Sequence, residues 1–191
     1  MLEPSLPATA PPPLTRQMTW WILILPATMV AALWSRNLYL LDWTHILSAS
    51  LWTGADLFLG FVLSTVLRRL SPAERKAVIQ FLVPRTLLYL PIAALTTSTA
   101  GWYLANWLGF LAPGNANRPW IFAALAITTI LTVQGLGVLL PNQVRIWREL
   151  QRPNPDPDRI WKINRVNLRL AGVQGVLQLI ILLVMAHLVM G

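Results

Sequence analysis

Five long apolar runs divide this chain of 191 residues. They cover residues 18–36, 43–67, 86–108, 120–140 and 168–190, with boundaries good to a few positions. A helix that crosses a bilayer needs ~20 apolar residues, since each adds about 1.5 Å of rise. In lipid every backbone polar group must be satisfied within the structure, which leaves helices and closed barrels. The runs are much longer than barrel strands, so the sequence predicts an all-α integral membrane bundle of five transmembrane helices.

Composition agrees with a membrane protein. The chain is 55% hydrophobic and 12% charged, whereas soluble domains carry about a quarter charged residues. It contains no cysteine, which excludes disulfides, thiolate metal sites and redox thiols. Residues 1–15 are rich in proline and have little to bury, so they are predicted to be a disordered tail. Residues 16–191 are predicted to form a single transmembrane domain.

The basic residues are distributed unevenly between the apolar runs. Of 15 lysines and arginines, only Arg36 and Arg118 fall at one end of the predicted bundle, and the rest fall at the other. The positive-inside rule then places the N-terminus in the cytoplasm and the C-terminus outside, in the inner (plasma) membrane. The net charge of +8 is therefore interpreted as a topology signal, and no nucleic-acid partner is expected. Attraction to anionic membrane lipid and docking of a partner remain two alternatives for these residues.

Two connections at the basic end carry helix-start signals. Ser71, followed by Pro72 and Glu74, predicts a capping box with proline in the first turn. Asp156, followed by Pro157, predicts a second capped helix start. The fourth and fifth runs are therefore expected to extend past the bilayer as a helical hairpin that is broken at "RPNPDP".

The second run contains ionisable residues in an apolar setting, in "DWTHILSASLWTGADLFLGF". Residues three and four apart share one face of a helix, so His45, Trp52, Asp56 and Gly60 form a stripe. Asp56 lies near the bilayer midplane, where a carboxylate costs about 2.5–3.5 kcal/mol and normally faces the bundle interior. The cost falls if the carboxyl is neutral or paired, and the candidate partners are Arg85, Thr96, Thr97, Thr99, Gln134, Gln174 and Gln178. Asp56 is then either a structural hydrogen-bond node or a proton-relay or ion-path residue.

Further polar residues in the runs have two interpretations each. Gln134, Gln174 and Gln178 are expected to link helices through hydrogen bonds, at about 0.6 kcal/mol per bond, or to line a polar channel. His45 is either an interfacial histidine bonded to a carbonyl or water, or an axial ligand of haem or a ligand of copper. His187 lies in the same leaflet, so a bis-histidine site is conceivable, but it faces away from Gln174 and Gln178, which favours a surface role.

The segment "THILSASLWTGADLFLGFVL" resembles the second-helix signature of two families of membrane proteins. These are the copper-resistance D (CopD-like) inner-membrane proteins and the HemJ-type protoporphyrinogen oxidases, and the shared positions are His45, Trp52, Gly54 and Phe58. The HemJ resemblance implies that His45 binds haem b, although this chain has Asp42 where that family often has lysine. The CopD resemblance implies handling of copper across the inner membrane.

Three functional hypotheses follow from these residues. The first is a haem b-binding redox or electron-transfer protein, with His45, Trp52 and Gly54 forming the cofactor slot. The second is a copper or small-cation handling protein, with His45 and His187 as metal ligands and Asp56 on the ion path. The third is an accessory or assembly subunit of a membrane complex without a cofactor. Whether the protein is an enzyme is left open, and its expected partners are lipid, further copies of itself or a larger complex.

Overall fold

The computed structural model describes residues 14–190, without the side chains of residues 189 and 190. The predicted proline-rich tail therefore lies outside the described residues, apart from its last two positions, which begin a short helix. The described part of the chain is helical and contains no strand, which confirms the all-α prediction.

The helical elements follow one another with short connections. They are α1 (Leu14–Gln17), a 3-10 turn (Trp20–Leu23), α2 (Ile24–Trp34), α3 (Leu38–Leu57), a π-helical segment (Phe58–Leu63), α4 (Ser64–Arg69), α5 (Pro72–Trp107), α6 (Arg118–Gln134), a second π-helical segment (Gly135–Leu139), α7 (Leu140–Leu150) and α8 (Pro157–Met190). Each π-helical segment joins its neighbours without a break. We refer to Leu38–Arg69 as the α3–α4 helix and to Arg118–Leu150 as the α6–α7 helix.

Among the described residues, four helices are long and apolar enough to cross a membrane. They are the α3–α4 helix of 32 residues, α5 of 36, the α6–α7 helix of 33, and the 32 residues of α8 up to Leu188. The predicted second to fifth spans each fall within one of them, to within two residues at the ends. The predicted first span forms a shorter apolar helix, Trp20–Trp34, which at about 1.5 Å per residue falls short of a ~30 Å hydrocarbon core. A fifth crossing therefore remains a prediction.

Both predicted helix starts at the basic end are confirmed. The Ser71 backbone N–H donates to the Glu74 carboxylate over 2.8 Å, and the Glu74 N–H donates to the Ser71 hydroxyl over 3.4 Å. Asp156 Oδ1 accepts hydrogen bonds from the backbone N–H groups two and three residues later. The hairpin is broken where expected, since α7 ends at Leu150 and α8 begins at Pro157.

The interior of the bundle combines apolar core clusters with buried polar side chains, whereas its outer surface is largely apolar along the long helices. The α3–α4 helix packs against α5 and α8, and the α6–α7 helix packs against α8 and α5. Several large apolar side chains point outward, among them Val133 and Leu183, which are 66% and 72% exposed. In contrast, Asp56, Asn167 and Gln174 are buried. This distribution is the one expected of helices that turn apolar faces to lipid and polar residues to each other.

Candidate functional site

Asp56, near the end of α3, is fully buried between helices. Its Oδ2 accepts a hydrogen bond of 3.0 Å from Nε2 of Gln178, which lies on α8 and is also buried. Of the seven partners that the sequence offered, the structure brings Gln178 to the carboxyl. At Asp56, the predicted stripe on α3 therefore faces a neighbouring helix, α8.

The remaining polar atom of each side chain, Oδ1 of Asp56 and Oε1 of Gln178, is buried. Among the described residues, neither oxygen accepts a hydrogen bond of regular geometry, although the Trp52 side chain also interacts with the Asp56 carboxyl. A buried acceptor without a donor costs about 1–3 kcal/mol. A water molecule or a proton at this position would remove the cost, so the pair is suited to holding one.

A small cavity lies beside Asp56, between α3, α5, the α6–α7 helix and α8. Its volume is about 40 Å³, and its walls are mostly apolar. The polar side chains that line it are Asp56, Thr132, Gln143 and Gln174. Gln143 Oε1 is also buried without a hydrogen-bond partner. Since a water needs ~10–15 Å³ of such space, the cavity has room for a few water molecules beside Asp56 and Gln143.

Irregular helix geometry surrounds this cavity. The first π-helical segment begins two residues after Asp56, and the second contributes Gly135, Leu136 and Leu139 to the cavity wall. Pro91 of α5 also lines it, and a proline inside a helix removes one backbone donor from the ladder. Wide π-helical turns recur at functional sites because they redirect side chains. The cavity therefore lies beside two irregular stretches of backbone, Pro91 of α5 and the π-helical segment of the α6–α7 helix.

Further buried or half-buried amides tie the α6–α7 helix to α8. Gln174 Nε2 donates to the Leu131 carbonyl over 2.9 Å, and Gln134 Nε2 donates to the Leu170 carbonyl over 3.2 Å. Nearer the basic end, the Asn142 amide donates to the Asn167 side chain over 2.9 Å. These contacts confirm the prediction that the glutamines link helices.

His45 is held against α5. Its Nδ1 lies 2.9 Å from the carbonyl oxygen of Thr97. A carbonyl only accepts hydrogen bonds, so Nδ1 carries the proton and Nε2 keeps its lone pair. The ring rests on Gly101, where a Cβ atom would lie 2.8 Å from His45 Cε1. The carbonyl-bonded histidine predicted from the sequence is therefore present, with Nε2 as the atom left to bind a ligand.

His187 is exposed and stacks on a different helix. Its ring centroid lies 4.2 Å from that of Trp120, at the start of α6. The two histidines thus contact different helices, His45 contacting α5 and His187 contacting α6. Within residues 14–190, no group of three or more His, Cys, Asp or Glu side chains is placed to hold a metal ion.

The other residues of the predicted cofactor slot are separated. Trp52 is buried at 5% exposure, lines the cavity and belongs to a core cluster with Leu25 and Leu131. Gly54 is exposed, and no heavy atom lies within 4 Å of the position that its Cβ would occupy. The glycine that does meet His45 is Gly101, and this pairing has no signal in the sequence. Gln143 was also missed, because it lies three residues beyond the fourth apolar run, 120–140.

Comparison with known proteins gives no match, whether to a protein-family model, to a curated protein or to a solved structure.

Proposed function

We propose that this chain is a multi-pass inner-membrane protein that transfers protons through its helix bundle, with Asp56 as the group that gains and loses the proton. The observation that carries the proposal is that Asp56 lines a cavity that can hold water, while its buried Oδ1 has no hydrogen bond of regular geometry among the described residues. Ionisable residues inside membrane bundles commonly mark such pathways. The proposed topology has five crossings, with the N-terminus in the cytoplasm.

Gln178 is suited to both protonation states of Asp56. Its amide group has a donor nitrogen and an acceptor oxygen. The nitrogen donates to the ionised carboxylate, as in the contact of 3.0 Å. After rotation of the amide, the oxygen can accept from a protonated carboxyl. Asp56 therefore keeps a hydrogen-bond partner before and after it takes up a proton from water in the cavity.

The donor set of the cavity favours a proton over a metal ion. Calcium takes six to eight oxygen ligands and magnesium takes six, and copper prefers nitrogen or sulfur ligands. Two residues that line the cavity, Asp56 and Gln143, each carry one unsatisfied oxygen, and the cavity walls are mostly apolar. Transport of copper or another small cation, which the resemblance to CopD-like proteins implies, is the competing version of this proposal.

Proton flux into proteoliposomes tests this function. The protein is reconstituted in vesicles that contain a pH-sensitive dye, and a potassium diffusion potential drives proton entry. We expect flux with the wild type and with Asp42→Asn, which removes an exposed carboxylate of the same helix. We expect the flux of Asp56→Asn to fall to that of empty vesicles. A folded Asp56→Asn protein with wild-type flux would refute the relay, and cation uptake without proton flux would favour the competing version.

Haem b binding is a second candidate, and the His45 contact favours it. A hydrogen bond from Nδ1–H to a backbone carbonyl fixes an imidazole and increases the basicity of Nε2 as a ligand. The Thr97 carbonyl supplies that bond at 2.9 Å. Haem held through Nε2 would add electron transfer, in line with the resemblance to HemJ-type proteins.

An absorption spectrum of the purified protein tests the second candidate. We expect a Soret band that His45→Ala removes and His187→Ala retains, because His187 contacts Trp120 on another helix. A wild-type protein without this band, after expression with adequate haem, contradicts the candidate.

If both His45→Ala and Asp56→Asn leave cellular function intact and a membrane partner co-purifies, the accessory-subunit hypothesis is favoured.

A further inference from the structure

A groove separate from the Asp56 cavity runs along the outside of the bundle at its basic end. It has a volume of about 750 Å³ and lies between the second half of the α3–α4 helix, the start of α5 and the first half of α8. One part of the groove is apolar, and the other part is lined by arginines. The groove is therefore amphipathic along its length.

Three arginines of the groove have no protein counterion. Arg68, Arg165 and Arg169 are exposed and form no hydrogen bond or ion pair with another described residue. Within residues 14–188, whose side chains the structure describes, no acidic side chain lines the groove. In the hairpin nearby, Arg152 and Arg159 instead pair with Glu149 over 3.0 and 3.5 Å. The groove thus collects positive charge that the described part of the chain leaves uncompensated.

The basic end of the groove also contains Trp161 and a fourth arginine, Arg75, which contact each other. The Arg75 guanidinium lies 4.7 Å from the centroid of the Trp161 ring. Arg75 Nε also donates to the Leu70 carbonyl over 2.9 Å. Both residues line the groove, and tryptophan is typical of the level of lipid head groups. The arginines are therefore expected to lie where head groups lie.

The apolar part of the groove follows a close helix crossing. Gly60 of the first π-helical segment meets the backbone of Gly172 on α8, and a Cβ on Gly60 would overlap with it. Beside this crossing, Phe61, Val173 and Val176 line the groove and are about half exposed. They give a shallow apolar surface that begins next to the arginines.

We propose that this groove binds one anionic phospholipid, with its phosphate at Arg68, Arg165 and Arg169 and an acyl chain along Phe61, Val173 and Val176. Basic pockets between transmembrane helices at the cytoplasmic side recognise anionic head groups in this way. A phospholipid matches both parts of the groove, because it carries its anionic group at one end of an apolar chain. The inference is independent of proton transfer at Asp56.

Native mass spectrometry of the detergent-purified chain tests the site. The protein is titrated with dioleoylphosphatidylglycerol or with dioleoylphosphatidylcholine. We expect preferential retention of phosphatidylglycerol by the wild type. A triple variant with Arg68, Arg165 and Arg169 changed to glutamine is expected to lose roughly fivefold in retention per arginine removed. The control triple variant changes Lys76, Arg148 and Lys162 to glutamine; these residues lie at the same end but outside the groove lining, and we expect wild-type retention.

A second variant tests the acyl half of the groove. Val176→Trp fills apolar space and leaves every charge in place, so we expect it to weaken phosphatidylglycerol retention. The midpoint of thermal unfolding of Val176→Trp in detergent is compared with that of the wild type to check that the variant is folded. Equal losses in both triple variants, or unchanged retention in a folded Val176→Trp protein, would show diffuse attraction and overturn the site. Absence of lipid preference in the wild type would overturn it as well.

Discussion

The side chain of Gln178 on α8 donates a hydrogen bond of 3.0 Å to the carboxylate of Asp56 on α3, 122 residues earlier in the chain. Both groups are buried, and each keeps one oxygen without a partner. The contact joins two helices that are far apart in sequence. It involves Asp56, whose carboxylate costs more free energy to place in a membrane than the other residues of the apolar runs. The stability of the bundle and the proposed proton transfer therefore depend on the same pair.

Removal of Gln178 is predicted to destabilise the bundle. Gln178→Leu removes the amide that donates to Oδ2 of the buried Asp56 carboxyl, so we expect a loss of about 1–3 kcal/mol in the free energy of unfolding. Gln134→Leu is the matched control, since its amide bonds a helix carbonyl that has other donors, and we expect about 0.6 kcal/mol there. Unfolding in mixed micelles of detergent and dodecyl sulfate measures both. Equal losses would contradict a special role for the Asp56 contact.

The close approach of His45 to α5 is predicted to require glycine at position 101. Gly101→Ala would place a Cβ atom 2.8 Å from His45 Cε1, so the ring must move and weaken its bond to the Thr97 carbonyl. We expect a loss of about 1–3 kcal/mol, as in other overpacked sites. Gly54→Ala introduces a methyl group into open space and is expected to be neutral or stabilising. If Gly101→Ala and Gly54→Ala unfold at the same fraction of dodecyl sulfate in mixed micelles, the contact between His45 and Gly101 is not tight.

The crossing of the α3–α4 helix and α8 is predicted to be the least tolerant position for added volume. In Gly60→Ala the new methyl group would overlap with the Gly172 backbone, which cannot rotate away as a side chain can. We expect a loss of ~3 kcal/mol or more in unfolding free energy. Gly137→Ala, in the other π-helical segment, meets no atom within 4 Å and serves as the control. Similar stability of the two variants would show that the helices separate readily.

The number of membrane crossings is testable because the chain lacks cysteine. Single cysteines at Thr15 and Ser35 flank the short apolar helix Trp20–Trp34, and a membrane-impermeant maleimide reports which side each occupies. Five crossings predict labelling from opposite sides, whereas a helix lying along the surface predicts the same side. Cysteines at Ser71 and Asn115 give the orientation, with Ser71 expected in the cytoplasm. Labelling of Ser71 from outside would reverse the proposed topology.

Local patterns in the sequence were sufficient to predict the four long apolar helices and two of the helix starts. The capping box at Ser71 and the cap at Asp156 form as predicted, because both depend on residues within one turn. The four long helices follow from runs of apolar residues, since length and hydropathy are properties of the segment alone. The stripe on α3 was likewise predicted to face protein, and Trp52 and Asp56 are buried there.

The sequence by itself determined that apolar helices carry a costly carboxyl, because hydropathy and side-chain charge belong to each residue. Only the tertiary structure decided that Gln178 reaches Asp56, that Gly101 lies under His45 and that Gln143 shares the cavity. Each of these contacts depends on how far a helix is rotated and shifted against its neighbour. Rotation and shift are set by packing along the whole helix, so no single segment of the sequence specifies them.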